Sequence, residues 1–376
     1  MIRKFIVLTV ATLLAYASCG DNDLPGTDGG ARPIGGHPGD AAGSHTANAT
    51  SFTVFVLGAA GGPVESRVSG YLIHQANSSN MLGFDCGSLM SGLRQAAKVV
   101  SDTAPFNAVK GKLSSRDIHR NIISGYLVSH AHLDHMSGLI IASADERASN
   151  KTAGILPKAI LGLNSTLVNI HNHAFNNQLW PDLALFGFYF YQQLIPGSVA
   201  HNVSGVQGLD AIAFPVSHGS NYLSTCFLLG TNLSNLEAAD GSAILLCGDL
   251  GTDANEKSVY MNDMWTAVAP LVASSRLKAI MIECSFPTAT STGALFGHLT
   301  PALLFQELHT LAKKVGSDNA LKGMKVLIQH IKENDVDDDT GVSASVGVVV
   351  QELESLNDLG VDLIFTHKKV GGAISV

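Results

Sequence analysis

Charged side chains are scarce in this sequence, and basic ones are the scarcer kind. Charged residues make up 14% of the 376 residues, and 23 Lys and Arg stand against 31 Asp and Glu, which gives a formal net charge of −8. No run of basic residues occurs anywhere in the chain. Because long nucleic acids are bound mainly through cations that neutralise phosphates, they are excluded as expected ligands. A small anionic ligand is compatible with this negative net charge if bound metal ions supply positive charge locally.

Cysteine is also rare, with five residues in the chain. Cys19 lies in the N-terminal segment, whereas Cys86, Cys226, Cys247 and Cys284 lie in or beside short apolar runs. Thiols on buried strands usually behave as small apolar side chains, so we expect no disulfide framework. The chain also lacks an internal repeat at a solenoid period, which argues against a repeat architecture.

The first 19 residues have the composition of an export signal. Arg3 and Lys4 precede an apolar stretch from Phe5 to about Leu14, and small residues follow up to Cys19. The letters AYASC resemble a bacterial lipoprotein cleavage site, which leaves two alternatives open: a lipid on Cys19, or simple cleavage and release. We therefore expect an exported protein that is either periplasmic or lipid-anchored to the bacterial cell envelope.

Residues 20–50 are rich in Gly, Pro, Ala and Asp and should form a flexible linker. Residues 51–376 then form one domain, in which runs such as FTVFVLG, AILLCGD and KVLIQH predict buried strands. Helical patterns lie near 88–100, 136–148, 164–178, 261–274, 301–314 and 344–358. This alternation predicts a layered α/β architecture, with a helical insertion over about 164–200.

The stretch SHAHLDHMSGL, at 129–139, gathers three histidines and an aspartate within six positions. The apolar residues before it predict a strand and those after it predict a helix, so His130, His132, Asp134 and His135 lie on a strand-to-helix turn. A helix capped by Asp beside one or two surface histidines is the alternative interpretation. The His-x-His-x-Asp-His order favours a metal site, and two adjacent donor pairs favour two ions.

Other ligand-type side chains follow predicted strands at their C-terminal ends, namely His218, Asp249, Glu283 and His330. These ends should converge on one cleft. Counting donors assigns His130, His132 and His218 to one ion, Asp134, His135 and His330 to a second, and Asp249 to a bridge between them. Nitrogen-rich ligation without thiolates suits zinc best, with manganese or iron as alternatives.

The same turn resembles a known family signature. His-x-His-x-Asp-His at 130–135 is similar to the signature of the metallo-β-lactamase superfamily, and HAHLDHMSGLIIASA resembles that of class II 3′,5′-cyclic nucleotide phosphodiesterases. The segments FDCGS, PVSHGS, CGDLG, IECSF, GHLTP and QHIK extend the likeness over most of the chain from about residue 52. The resemblance implies an αββα four-layer sandwich and the same seven metal ligands.

The resemblance also implies a catalytic pair, Glu283 and His298, acting beside Asp134. A histidine in a Gly-flanked loop next to a strand-end carboxylate can be held in one tautomer and kept protonated. The alternative is that His298 caps the helix that begins near Thr300. His173 and Asn176 are candidate substrate-binding residues, although the apolar residues around them fit a packed core.

The expected function is hydrolysis of 3′,5′-cyclic nucleotides, cAMP and also cGMP, to 5′-monophosphates by a water that two metal ions activate. Alternatives are another hydrolase on the same metal core, such as a ribonuclease Z-like phosphodiesterase, a thioesterase or a lactonase, or a binding protein without catalysis. Expected partners are a small cyclic nucleotide, no long nucleic acid and a membrane only through a lipid on Cys19. A homodimer is a candidate assembly of this protein.

Overall fold

The computed structural model describes residues 51–100, 103–108, 113–150, 155–219, 221–317, 319–333 and 344–376. The predicted export signal and linker lie outside the described residues. No helix in these ranges combines the length and the apolar character needed to cross a membrane.

The described chain contains two seven-stranded mixed sheets. The strands are β1 (Phe52–Gly58), β2 (Gly70–Gln75), β3 (Met81–Cys86), β4 (Ile123–Leu127), β5 (Lys158–Gly162), β6 (Tyr189–Gln193), β7 (Val199–Ala200), β8 (Asp210–Ser217), β9 (Leu223–Gly230), β10 (Ala243–Cys247), β11 (Leu277–Glu283), β12 (Lys325–Gln329), β13 (Asp362–Phe365) and β14 (Ala373–Ser375). The first sheet has the order β14-β1-β2-β3-β4-β5-β6, and the second has the order β13-β12-β11-β10-β9-β8-β7.

Helices cover the outer faces of both sheets. The longer ones are α1 (Met90–Val99), α2 (Leu133–Ala142), α3 (Asn164–His173), α4 (Tyr260–Ala273), α5 (Pro301–Val315) and α6 (Ala344–Leu356). Short helical segments occupy Ser115–Asp117, Ile118–Ile122 and Asp253–Glu256. Residues of α1, α2 and α3 share a core with the first sheet, and residues of α4, α5 and α6 share one with the second.

A third core fills the space between the two sheets, which makes the architecture the four-layer αββα sandwich that the sequence predicts. Strand β9 illustrates the packing, because Phe227 and Leu229 face the inter-sheet core while Cys226 and Leu228 face the helices. Side chains alternate between the faces of a strand, so a strand buried on both faces is apolar throughout.

Two expectations need correction. Cys226 and Cys247 form a disulfide, because they are directly opposed in the antiparallel pair β9–β10 and their side chains share one face. Cys86 and Cys284 are free and buried, as predicted. The segment 164–200 is helical mainly over α3, and it then supplies β6 and β7, the edge strands of the two sheets.

Candidate metal centre and active site

The turn between β4 and α2 positions the first ligand-type residues. His132 has extended backbone angles and lies immediately before α2, so Asp134 and His135 fall in the first helical turn. A carboxylate is favoured there because the N-terminus of a helix carries partial positive charge. Gly87 allows the close approach of this turn, since a Cβ at that position would lie 1.9 Å from the carbonyl oxygen of Asp134.

The remaining ligand-type residues come from strand ends in the second sheet. His218 directly follows β8, Asp249 is the second residue after β10, and His330 directly follows β12. The pairings of β8 to β12 make these three strands run in the same direction, so their carboxyl ends lie at one edge. His330 adopts a left-handed backbone with φ 57°, which is uncommon outside glycine and clusters at functional sites.

Three histidines form the first cluster. Nε2 of His130 lies 3.0 Å from Nδ1 of His132, and that same Nδ1 lies 3.3 Å from Nε2 of His218. His130 and His218 are buried, whereas His132 is exposed. The three nitrogens therefore form a compact donor set with one open side.

The second cluster contains Asp134, His135, Asp249 and His330. Nε2 of His330 lies 3.2 Å from Oδ2 of Asp134 and 3.2 Å from Nε2 of His135. Oδ2 of Asp249 lies 3.2 Å from the Nε2 atoms of both histidines. It also lies 3.8 Å and 3.7 Å from the Nε2 atoms of His130 and His218. Asp249 thus lies between the two clusters, where the sequence predicted a bridge.

These side chains fit divalent cations. Oδ1 of Asp249 is buried and has no hydrogen-bond partner among the described residues. Buried unpaired carboxylate oxygens are costly, and a cation between the clusters would satisfy it. The two clusters contain only nitrogen and oxygen donors that face one another. The centre is therefore a candidate site for divalent metal ions.

Four of the five histidines are fixed through Nδ1. His135 donates to Oδ2 of Asp85 at 2.7 Å, and His218 donates to the carbonyl oxygen of Gly297 at 2.9 Å. His130 contacts Oγ of Ser129 at 2.9 Å, and this hydroxyl donates to Asp85 at 2.8 Å. Because a hydroxyl has one proton, and Ser129 donates that proton to Asp85, Ser129 accepts a hydrogen bond from Nδ1 of His130.

His330 is held in the same way by Ser285. Its Nδ1 lies 3.0 Å from Oγ of Ser285, and this hydroxyl lies 2.5 Å from Oε2 of Glu283. If the hydroxyl donates to the carboxylate, it accepts from Nδ1 of His330. Because the outer nitrogen carries the proton, the lone pair on Nε2 is directed into the cluster in all four buried histidines.

Burial and neighbouring charges set the ionisation of the centre. Burial lowers the pKa of His130 and His330, and burial followed by the charges of His218 and His135 lowers the pKa of His132 to about 4. Burial opposes ionisation of Asp249, but the positive charges of His135 and His330 outweigh it and hold the pKa of this carboxyl well below its usual range. Burial also lowers the pKa of His135, but the charges of Asp249 and Asp85 outweigh it and raise this pKa well above its usual value. A metal ion bound at Nε2 of His135 would therefore displace a proton.

Glu283 and His298 form a buried pair beside the clusters. Nδ1 of His298 donates to Oε1 of Glu283 at 2.7 Å. Glu283 also accepts from the backbone amide of Leu250 at 3.0 Å and from Ser285. Burial lowers the pKa of His298, but the charges of Glu283 and Asp249 outweigh it, so the pKa is raised. The cap of α5 is Thr300, so the alternative role of His298 as a helix cap is wrong.

The two candidate substrate-binding residues make no hydrogen bond or ring contact with the metal-ligand clusters among the described residues, and their role stays a prediction. Asn176 accepts from the amides of Gln178 and Leu179 and donates to the carbonyl of Asn172, so its side chain is engaged within its own turn. His173 is exposed at the end of α3.

Several residues at the centre were missed by the sequence reasoning. Ser129 directly precedes His130, and Ser285 lies two positions after Glu283. This closeness in sequence to predicted site residues is the signal that could have identified both serines. Tyr222 stacks on His132, with ring centroids 4.7 Å apart and planes 8° apart. Asp85 contacts both His135 and Ser129.

Comparison with known proteins gives one consistent family. Residues 50–368 match the family described as cAMP phosphodiesterases class-II. A 3′,5′-cyclic-nucleotide phosphodiesterase of Aliivibrio fischeri is 34% identical, with 86% of this chain and 93% of that protein covered. Another, from Schizosaccharomyces pombe, is 31% identical over 82% of this chain and 88% of that protein.

Solved structures support the fold. The crystal structure of unliganded yeast PDE1 matches with a TM-score of 0.70 at 23% identity, and the match covers 84% of this chain and 97% of that one. The metallo-beta-lactamase fold protein YhfI from Bacillus subtilis matches with a TM-score of 0.52 at 14% identity, over 87% of this chain and 100% of that one. The sandwich is therefore a metallo-β-lactamase fold.

Proposed function

Because this chain belongs to the class-II cAMP phosphodiesterase family, we propose that it hydrolyses 3′,5′-cyclic nucleotides to nucleoside 5′-monophosphates with two divalent metal ions. The observation that carries the proposal is the convergence of two donor clusters on one carboxylate oxygen of Asp249. Zinc is the ion that this donor set suits best, because its ligands are imidazole and carboxylate without thiolate.

The seven ligands would divide as the geometry groups them. His130, His132 and His218 would hold one ion, and Asp134, His135 and His330 the other, with Asp249 between them. Ions bound there would supply an activated water and would stabilise the negative charge that develops on the phosphate. The buried histidines need no reorganisation for this, since their Nδ1 partners already direct Nε2 inward.

His298 would act as the general acid. Glu283 engages Nδ1 of the ring and raises its pKa, which leaves a protonated Nε2 free for transfer. When the bond between phosphorus and the 3′-oxygen breaks, Nε2 would donate its proton to that oxygen. Without this proton the 3′-oxygen would leave as an alkoxide, which is a poor leaving group. Protonation therefore lowers the activation barrier for cleavage of the bond between phosphorus and the 3′-oxygen.

One assay tests the function directly. Purified protein is given cAMP and cGMP, the 5′-monophosphate is quantified, and metal is measured in the same sample. Asp249→Asn is the matched control, since it keeps the shape of the side chain but removes its charge. Hydrolysis by the wild type and not by the variant is expected. Cleavage of a thioester, a lactone or RNA without cleavage of either cyclic nucleotide would contradict the proposal.

We also propose export directed by the N-terminal signal segment, followed either by attachment of a lipid to Cys19 or by simple cleavage and release. The support is the order of two basic residues, an apolar stretch and small residues before the cysteine. Fractionation of cells that express wild type and Cys19→Ser distinguishes the two outcomes: if a lipid is attached, the wild type should partition with membranes and the variant should not. Equal partitioning would favour cleavage without lipid. The homodimer stays a prediction that size-exclusion chromatography can test.

A further inference from the structure

His132 differs from the other four histidines of the clusters. It is exposed, and it faces the cluster through Nδ1 rather than Nε2. Among the described residues, its outer nitrogen, Nε2, has no hydrogen-bond partner. The hydrogen bond that fixes the ring of each buried ligand is therefore missing at this position, although an exposed imidazole has the greatest freedom to rotate.

Tyr222 occupies the place where such a restraint is needed. Its ring stacks on that of His132, at a centroid separation of 4.7 Å and an interplanar angle of 8°. The ring also meets that of His130 edge-on at 6.0 Å. This nearly parallel contact covers one face of the His132 imidazole.

Tyr222 is itself tied to both segments that carry the first cluster. Its hydroxyl accepts a hydrogen bond from the backbone amide of Ala131, the residue between His130 and His132, at 3.2 Å. Its carbonyl oxygen accepts from the amide of His218 at 2.9 Å.

We propose that Tyr222 is a positioning residue that holds His132 with Nδ1 directed into the first metal cluster. Stacking restricts rotation of the imidazole about its χ2 angle, which would otherwise turn Nδ1 away from His130 and His218. The tyrosine ring thus replaces the outer hydrogen bond that other metal-binding histidines use. The inference rests on the proposed metal centre and deepens it by naming what orients its exposed ligand.

Zinc affinity of three variants tests the role. Tyr222→Leu removes the ring, Tyr222→Phe keeps the ring and removes the hydroxyl, and Tyr260→Leu removes a partly exposed tyrosine on α4 as the matched control. Zinc-loaded full-length proteins are titrated with a competing chelator, and the affinity of each of the two zinc ions is measured. Thermal unfolding of the metal-free forms is recorded in parallel.

One ion should be lost selectively. Tyr222→Leu should weaken one zinc by about 10–100-fold, the usual effect of removing an outer partner of a ligand, and should leave the other zinc near its wild-type affinity. Tyr222→Phe should retain most of the affinity, because stacking needs the ring. The metal-free proteins should unfold at similar temperatures, since the role concerns the ligand and not the fold.

Two results would overturn the inference. One is wild-type affinity for both ions in Tyr222→Leu, and the other is an equal loss in Tyr222→Leu and Tyr222→Phe, which would assign the effect to the hydroxyl. A wild-type protein that binds no zinc overturns it as well. Because the readout is metal affinity, a wild type that binds zinc without cleaving cyclic nucleotides contradicts the proposed function alone.

Discussion

Replacement of His298 by alanine separates proton donation from all other functions of the site. The ring is held through Nδ1, which donates to Glu283 at 2.7 Å. Glu283 is in turn fixed by the amide of Leu250 and by Ser285, so the ring cannot turn to offer Nδ1 instead. Nε2 is then the one nitrogen of His298 that can transfer a proton. His298→Ala removes that donor and leaves all seven proposed metal ligands in the chain.

The size of the effect follows from burial and from the leaving group. General acid catalysis contributes about 10²–10⁴-fold, or about 3–5 kcal/mol of transition-state free energy. His298 is 4% exposed, so bulk water has poor access as a substitute acid. The departing 3′-oxygen of a sugar is strongly basic. We therefore expect the loss on cAMP to fall in the upper part of that range, at about 10³-fold or more in kcat.

Two substrates with different leaving groups provide the assay. A nitrophenyl phosphodiester releases a stabilised phenolate that needs little protonation, so His298→Ala should lose far less activity on it than on cAMP. Both substrates are measured at matched metal occupancy with wild type, His298→Ala and the control His309→Ala. His309 is exposed and pairs with Asp358 away from the clusters. An equal fractional loss on the two substrates would refute the assignment of His298 as general acid.

The remaining predictions concern the pair, the metal, the bridge and the disulfide. Glu283→Gln removes the negative charge that raises the pKa of His298 most, so His298 should lose its proton at lower pH and the alkaline fall of kcat with cAMP should move to lower pH. An unchanged pH profile would contradict the pairing. Chelation should abolish hydrolysis, and zinc or manganese should restore it, whereas full turnover by metal-free protein would exclude metal dependence. Asp249→Ala should lose at least one ion and nearly all activity, and normal rates with two ions bound would show that Asp249 is not a bridge. The double variant Cys226→Ala/Cys247→Ala should be less stable by about 3 kcal/mol, judged from the loop that the bond closes, and unchanged thermal unfolding would contradict a native disulfide.

Most of the fold could be predicted because its strands are apolar on both faces. The run FTVFVLG coincides with β1, and the run AILLCGD contains β10, because continuous burial leaves a continuous apolar segment in the sequence. Three of the four edge strands were missed, namely β6, β7 and β14. β7 and β14 have two and three residues, and β6 alternates buried with exposed positions. Short or half-exposed strands are specified by pairing with a neighbour, which the local sequence does not contain.

The disulfide shows the same limit. Cys226 and Cys247 are separated by 21 positions, and the apolar runs that contain them predict only burial. Their direct opposition depends on the register of β9 against β10, and a shift of one residue would turn the two thiols to opposite faces. A bond between them therefore could not be inferred from the strand pattern.

The proposed metal ligands of the turn are close together in the sequence, whereas the groups that orient these ligands are distant from them in the sequence. His130 and His135 are close in sequence because one turn carries both, and their spacing gave the motif. The oxygen that receives Nδ1 of His135 belongs to Asp85, 50 positions earlier, and the oxygen that receives Nδ1 of His218 belongs to Gly297, 79 positions later. Such partners meet only after the two sheets have packed. The orientation of the metal ligands is thus a property of the tertiary fold, so mutations in the partners should alter metal affinity while the signature motif stays intact.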